Sequence, residues 1–196
     1  MCCSMWCFWR KPAVPFLPTN PDLFDIIFSI AKLGKEDVFY DLGCGDGRIV
    51  IEAARRTDVK KAVGIEIDER LVEIARKNAE KSGVSDRVEI IHGDFFTTPI
   101  SEATVVYMYL TRRVNELLKP KLSSELRIGA RIITLDFEIP GWRPVSVTTL
   151  NRVIQRTLYL YVRGVSDAHE VSRQNIVHRL TTVFTVPGSP YRLLST

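Results

Sequence analysis

An acid stands two residues ahead of three alternating glycines in Asp41-Leu-Gly-Cys-Gly-Asp-Gly47. Gly43, Gly45 and Gly47 allow the backbone to bend sharply and a ligand to approach closely, because no Cβ stands in the way. A helix starting just after such a turn offers free N–H groups and a positive end, which suit an electron-rich group. A bare Gly-x-Gly is also an ordinary strand-to-helix turn, so the motif needs a second signal. Glu66 supplies one. It ends an apolar stretch about 20 residues beyond the turn, where a ribose-binding acid belongs. Asp41 supplies another, because its charge repels a pyrophosphate and holds an ammonium. The chemistry implied is binding of a nucleoside that carries an amino acid, in preference to a dinucleotide.

The elements that must position these residues can be read in order. Pro12, Pro15 and Pro18 make Lys11–Thr19 extended. Asn20 caps a helix with Pro21 in its first turn and Leu23, Phe24, Ile27, Phe28 and Ala31 on one face, and Gly34 ends it. A buried strand over Val38–Leu42 runs into the glycine turn, and a helix follows with Ile49, Val50, Ala53 and Ala54 inward. A second strand spans Lys61–Ile65. Asp68 caps the next helix, with Leu71, Val72, Ala75 and Ala79 at helical spacing and Gly83 at its end. The third strand is Val88–His92, followed by Gly93, Asp94, Phe95 and Phe96. The fourth is Thr104–Tyr109. Thr111 then caps a helix whose Val114, Leu117, Leu118 and Leu122 face inward and which Pro120 should kink. The fifth strand is Arg131–Phe137, leading to a turn over Ile139–Trp142. Two antiparallel strands, Val145–Leu150 and Ile154–Val162, close the series. This is an α/β chain with a doubly wound, Rossmann-like sheet, mostly parallel and ending in an antiparallel hairpin.

The chain has 196 residues, 45% of them hydrophobic and 26% charged, with a net charge of +4. Such a composition suits one soluble domain, and the mild basicity selects no partner. No apolar run reaches the ~20 residues that span a bilayer. We expect a disordered leader over residues 1–12, a domain over 13–163 and a tail over 164–196 without assigned role, in which Val177–Val186 could add a strand. Cys2, Cys3 and Cys7 lie in the leader. Without a nearby histidine they make a poor metal site, and reduced thiols are the expectation. The leader lacks the charged start and apolar stretch of a signal peptide.

The sequence resembles the class I S-adenosylmethionine (SAM)-dependent methyltransferases. The resemblance rests on Asp41–Gly47, Gly64-Ile-Glu-Ile-Asp68 and Gly93-Asp-Phe-Phe96. It is closer to the archaeal broad-specificity protein lysine methyltransferases and their mitochondrial relatives, through Val14-Pro-Phe-Leu-Pro-Thr19, Asn115-Glu-Leu-Leu-Lys-Pro-Lys-Leu122, Phe137-Glu-Ile-Pro-Gly-Trp142 and Leu158-Tyr-Leu-Tyr-Val162. It covers about residues 13–163. The resemblance implies SAM as cofactor, held by Thr19, Asp41, Gly43, Cys44, Gly45, Glu66, Asp94 and Phe95. Asp94 would bond the adenine amino group and Phe95 pack on the ring. It also places the methyl group at the carboxyl ends of strands one, four and five. Tyr107, Tyr109, Phe137 and Trp142 could wall an acceptor channel there. Tyr109, Phe137 and Trp142 are the catalytic candidates, and Asp136 and Glu138 are alternative contacts for an ammonium. The implied substrates are proteins with accessible lysines. A cytoplasmic monomer needing no metal and binding no nucleic acid is the accompanying expectation.

Three rival functions remain open at this point. An RNA or small-molecule N-methyltransferase usually carries Asn/Asp-Pro-Pro-aromatic after the fourth strand, where this chain has Tyr107-Met-Tyr-Leu-Thr111. A non-catalytic SAM-binding scaffold would share the cofactor motifs. An NAD-dependent dehydrogenase fits poorly with Asp41 and with the glycine spacing.

Overall fold

The computed structural model describes residues 17–150 and 155–168. The leader cysteines, the 1–12 boundary, Ile154 and the expected strand at 177–186 lie outside them. Asn20 accepts from the Asp22 N–H and opens a 3-10 turn, Pro21–Leu23, that leads into α1, Phe24–Ala31. Helix α1 ends not at Gly34 but at Lys32, which takes the left-handed conformation at φ 49°. Gly34 lies beyond it and donates its N–H to Asp37 Oδ2 at 2.9 Å.

The rest follows the alternating order: β1 (Val38–Leu42), α2 (Arg48–Arg56), β2 (Lys61–Glu66), α3 (Glu69–Lys81), β3 (Val88–His92), β4 (Val105–Met108), α4 (Arg112–Glu125), β5 (Arg131–Leu135), β6 (Ser146–Leu150) and β7 (Arg156–Val162). Helix α4 runs through Pro120. The seven strands form one sheet in the order β3-β2-β1-β4-β5-β7-β6. Neighbours from β3 to β5 pair in parallel, while β7 is antiparallel to both β5 and β6. The chain starts mid-sheet, winds to the β3 edge, then crosses back to β4. Parallel strands β1 and β4 become neighbours at this reversal, where the crossovers leave in opposite directions and open a crevice beyond the carboxyl ends.

Side chains alternate across the sheet and fill two cores. Val105 and Tyr107 enter the layer packed by α1, α2 and α3. Val106 and Met108 enter the layer packed by Leu118 and Leu122 of α4, together with Trp142 and Tyr161. Both faces are covered, so the parallel strands read as nearly continuous apolar runs. In β7, Leu158 is on the first face and Tyr161 on the second, as its alternation predicts.

Strand β5 ends two residues before the expected Phe137. Asp136 has φ 62° and turns the chain, while its N–H donates to the Thr157 carbonyl at 2.7 Å. Asp is among the few side chains that visit this conformation readily. Beyond Val162 the described chain continues as turns to residue 168. Ser166 and Asp167 are buried, and Asp167 Oδ1 accepts from the Gly164 N–H.

Candidate functional site

The crevice at the β1/β4 reversal is lined by the chain before α1 (Leu17–Thr19), the glycine turn, the ends of β2 and β4, and Phe95. All three turn glycines have positive φ: 84° at Gly43, 56° at Gly45 and 78° at Gly47. Close packing adds a second demand at Gly47, where a Cβ would stand 2.9 Å from Ala75 Cβ of α3. Gly64 of β2 leaves room for Cys44: a Cβ there would sit 2.5 Å from the Cys44 Sγ. Cys44 is thus a packing group whose backbone belongs to the cradle. Burial pushes its thiol well above the usual range.

Glu66 ties the cradle together. Its Oε2 accepts from the Gly45 N–H at 2.9 Å, and its Oε1 from the Ile67 and Asp68 N–H groups, both at 2.9 Å. One carboxylate therefore fixes the turn after β1 against the turn after β2. Asp41 contrasts with it. The residue is only 4% exposed, and its carboxylate has no hydrogen bond or ion pair among the described residues. Burial, then the charges of Glu66 and Asp46, push its carboxyl well above the usual range. A buried carboxylate facing a cleft beside two others is poorly placed until a cation joins it.

Arg48 is the only cationic side chain among the described residues lining the cleft. It bonds Asp46, with Nη2 2.7 Å from Oδ2, and reaches the Thr19 carbonyl at 3.5 Å. Thr19 is buried and its Oγ1 lies 3.0 Å from the Tyr107 hydroxyl. The chain ahead of α1 is thereby fastened to both α2 and β4. Burial pushes the Tyr107 phenol well above its ordinary range, which the Thr19 bond only partly offsets, so it stays neutral and cannot take up a proton. Sequence reasoning overlooked Arg48 and Asp46. The available signal was a cation in the first helical turn, where the helix dipole disfavours it.

The structure thus brings Thr19, Asp41, Gly43, Cys44, Glu66, Phe95 and Tyr109 to one cleft, with Gly45 bonded to Glu66. Asp94, Phe137 and Trp142 do not line it. Asp94 closes its own turn, Oδ1 accepting from the Phe96 N–H at 2.8 Å. Phe137 is 39% exposed beyond the Asp136 turn, and Trp142 packs edge-on against Tyr161 in the second core. Four carboxylates, of Asp41, Asp46, Glu66 and Asp68, face the cleft against the one guanidinium. No cluster of potential metal ligands and no helix long and apolar enough to cross a membrane occurs among the described residues.

These residues fit SAM. The orphaned Asp41 carboxylate matches an ammonium, Arg48 a carboxylate, Glu66 a ribose hydroxyl and the Phe95 ring a purine. Residues 41–146 match the family described as the ANTKMT methyltransferase domain. A protein-lysine N-methyltransferase of Saccharolobus islandicus (strain REY15A) is 49% identical over 154 residues, which are 78% of this chain and 96% of that protein. The adenine nucleotide translocase lysine N-methyltransferase of Mus musculus is 34% identical over 134 residues, 68% of this chain but only 58% of the mouse protein. Among solved structures, an RNA methyltransferase from Salinibacter ruber in complex with S-adenosyl-L-homocysteine superposes with a TM-score of 0.70 at 44% identity, covering 74% of this chain and 93% of that one.

Proposed function

The chain belongs to the ANTKMT methyltransferase family, with SAM as its methyl donor, and from that premise we infer that it methylates lysine side-chain amines of proteins. The observation that carries the choice of acceptor is the acidity of the cleft. Four carboxylates against one guanidinium, in a chain of net charge +4, line the cleft into which the acceptor must reach. A cationic lysine is drawn there, and a polyanion is repelled.

SAM supplies a methyl carbon already activated by its sulfonium. The chain's own task is to hold that cofactor and to present a neutral amine in line with it. A lysine with an ordinary pKa of ~10.4 is neutral about once in a few thousand molecules at pH 7, a handicap of roughly 4.6 kcal/mol. Entry into a narrow cleft disfavours the charged form and recovers part of this. Tyr109, just past β4, is half-buried on the cleft wall and offers an aromatic face to the alkylammonium before it loses its proton. That proton leaves to water or through Tyr109, since the buried Tyr107 cannot take it.

The relative from Salinibacter ruber supports a second reading, methylation of RNA. Methyl-labelled SAM, incubated separately with cell protein, total RNA and small amines beside an Asp41→Ala control, separates the two. Methyl-lysine in the protein pool, absent from the control, is the expected result. Label confined to RNA or to small amines overturns the acceptor. SAM bound without label anywhere overturns the activity.

A further inference from the structure

Tyr109 of the cleft wall carries a cation of the protein's own on its ring, from outside the cleft lining. Leu135 of β5 pairs with Leu158 of antiparallel β7, so Asp136, just past β5, and Arg156, at the start of β7, meet at the sheet end where Tyr109 leaves β4. The Arg156 guanidinium carbon lies 5.0 Å from the Tyr109 ring centroid. One of its terminal nitrogens lies 3.0 Å from Asp136 Oδ2. The other Asp136 oxygen accepts from the Thr157 N–H at 3.1 Å. An aromatic face with a carboxylate beside it offers an alkylammonium both of its preferred partners.

Arg156 fills this place imperfectly. Its Nε is buried without a hydrogen-bond partner among the described residues. A guanidinium fork normally has its buried donors satisfied. The carboxylate, by contrast, is firmly held. Asp136 is locked in its left-handed conformation by bonds in both directions to Thr157. The holder is therefore rigid and its occupant under-satisfied.

We propose that Tyr109 and Asp136 form the seat for the acceptor lysine's ammonium, and that Arg156 is its resting occupant, displaced when a substrate lysine enters. The assignment rests on the lysine reading above. Tyr109 would touch the substrate, and Asp136 would position the side chain before it sheds its proton. Arg156 would raise the threshold for binding, so that lysines with few other contacts compete poorly for the seat.

The test uses the full chain, labelled SAM and cell protein as acceptor, with methyl-lysine counted after acid hydrolysis. Wild-type protein must first form methyl-lysine; if it does not, the lysine reading itself fails and this proposal with it. SAM titration then shows that each variant is folded. Arg156→Ala should lower the apparent KM for acceptor protein about two- to fivefold, the worth of an exposed cation–π contact. In that variant n-propylguanidinium should inhibit competitively against acceptor protein and not against SAM. Asp136→Asn should raise the apparent KM about tenfold with kcat and SAM affinity nearly unchanged. If Arg156 is merely a strut, propylguanidinium restores a lost rate instead of inhibiting. That outcome, or an unchanged KM in Asp136→Asn, overturns the proposal. Should Arg156→Ala fail to bind SAM, Asp136→Asn decides alone.

Discussion

Replacing Asp41 by Asn should stabilise the free protein and weaken its hold on SAM, two effects of opposite sign from one substitution. Asp41 is 4% exposed, lacks a partner among the described residues, and faces the charges of Glu66 and Asp46. Its carboxyl is pushed up by burial first and by those charges second. The folded state therefore holds this proton more tightly than the unfolded chain does. Stability from this group is fully present below the ordinary carboxylate range and declines as pH rises through the elevated folded value. Asn, which does not titrate, removes that decline. The variant's advantage in thermal unfolding should thus grow from about pH 4 upward and level off above the folded value. The cofactor reverses the balance, because an ammonium at Asp41 makes a charge-assisted bond worth about 1.5–3 kcal/mol. Loss of that bond lowers SAM affinity roughly 10- to 150-fold. Calorimetric titration at pH 6 to 8, in two buffers of different ionisation enthalpy, measures both the affinity and the protons released as SAM draws Asp41 into its charged form. An Asn variant that melts lower than wild type without SAM, yet binds SAM equally well, would refute the reasoning.

Two further outcomes test the frame around the site. Gly64→Ala places a Cβ 2.5 Å from Cys44 Sγ and 2.8 Å from Cys44 Cβ, and the close atoms include one next to the backbone. It should cost about 1–3 kcal/mol of stability in denaturant unfolding and weaken SAM binding by shifting the turn, while wild-type values for both would refute the packing argument. At the opposite end of the sheet, Asp37 accepts from Thr104 at 2.6 Å and pairs with Arg131, which also bonds the carbonyls of Ala31 and Lys32. Burial pushes the Asp37 carboxyl up, but hydrogen bonds from Thr104, Arg131 and the Gly34 N–H outweigh it and hold the group below its ordinary value. Its stabilisation is therefore present above the ordinary carboxylate range and lost as pH falls through the lowered folded value. Asp37→Asn should unfold at lower denaturant at pH 7, and the gap should narrow toward pH 3.

Much of the fold was legible because its signals are local. Val38–Leu42, Val88–His92 and the caps Asn20, Asp68 and Thr111 stand where the sequence predicts them. Buried parallel strands must be apolar along their length, and orphan helix N–H groups select short polar side chains. The glycine turn was equally readable as a turn, since each of its glycines adopts a positive φ that other residues avoid, and Glu66 bonds the turn. Strand ends were less so: Asp136 leaves the sheet because Thr157 of the antiparallel neighbour binds it, a partner 21 residues away. That turn carries Phe137 outward, while Trp142 finds its neighbour Tyr161 in the second core.

What the sequence determined by itself was the order of elements and the form of the glycine turn, because both depend on residues close together along the chain. The tertiary structure alone decided which side chains meet around Tyr109. Tyr109 and Asp136, just past β4 and β5, and Arg156, at the start of β7, become neighbours only through the order β4-β5-β7. Arg48 pairs locally with Asp46, two residues back, but reaches the Thr19 carbonyl only when the chain ahead of α1 folds over the glycine turn. Pairing and crossover set these distances, and no spacing in the chain encodes them.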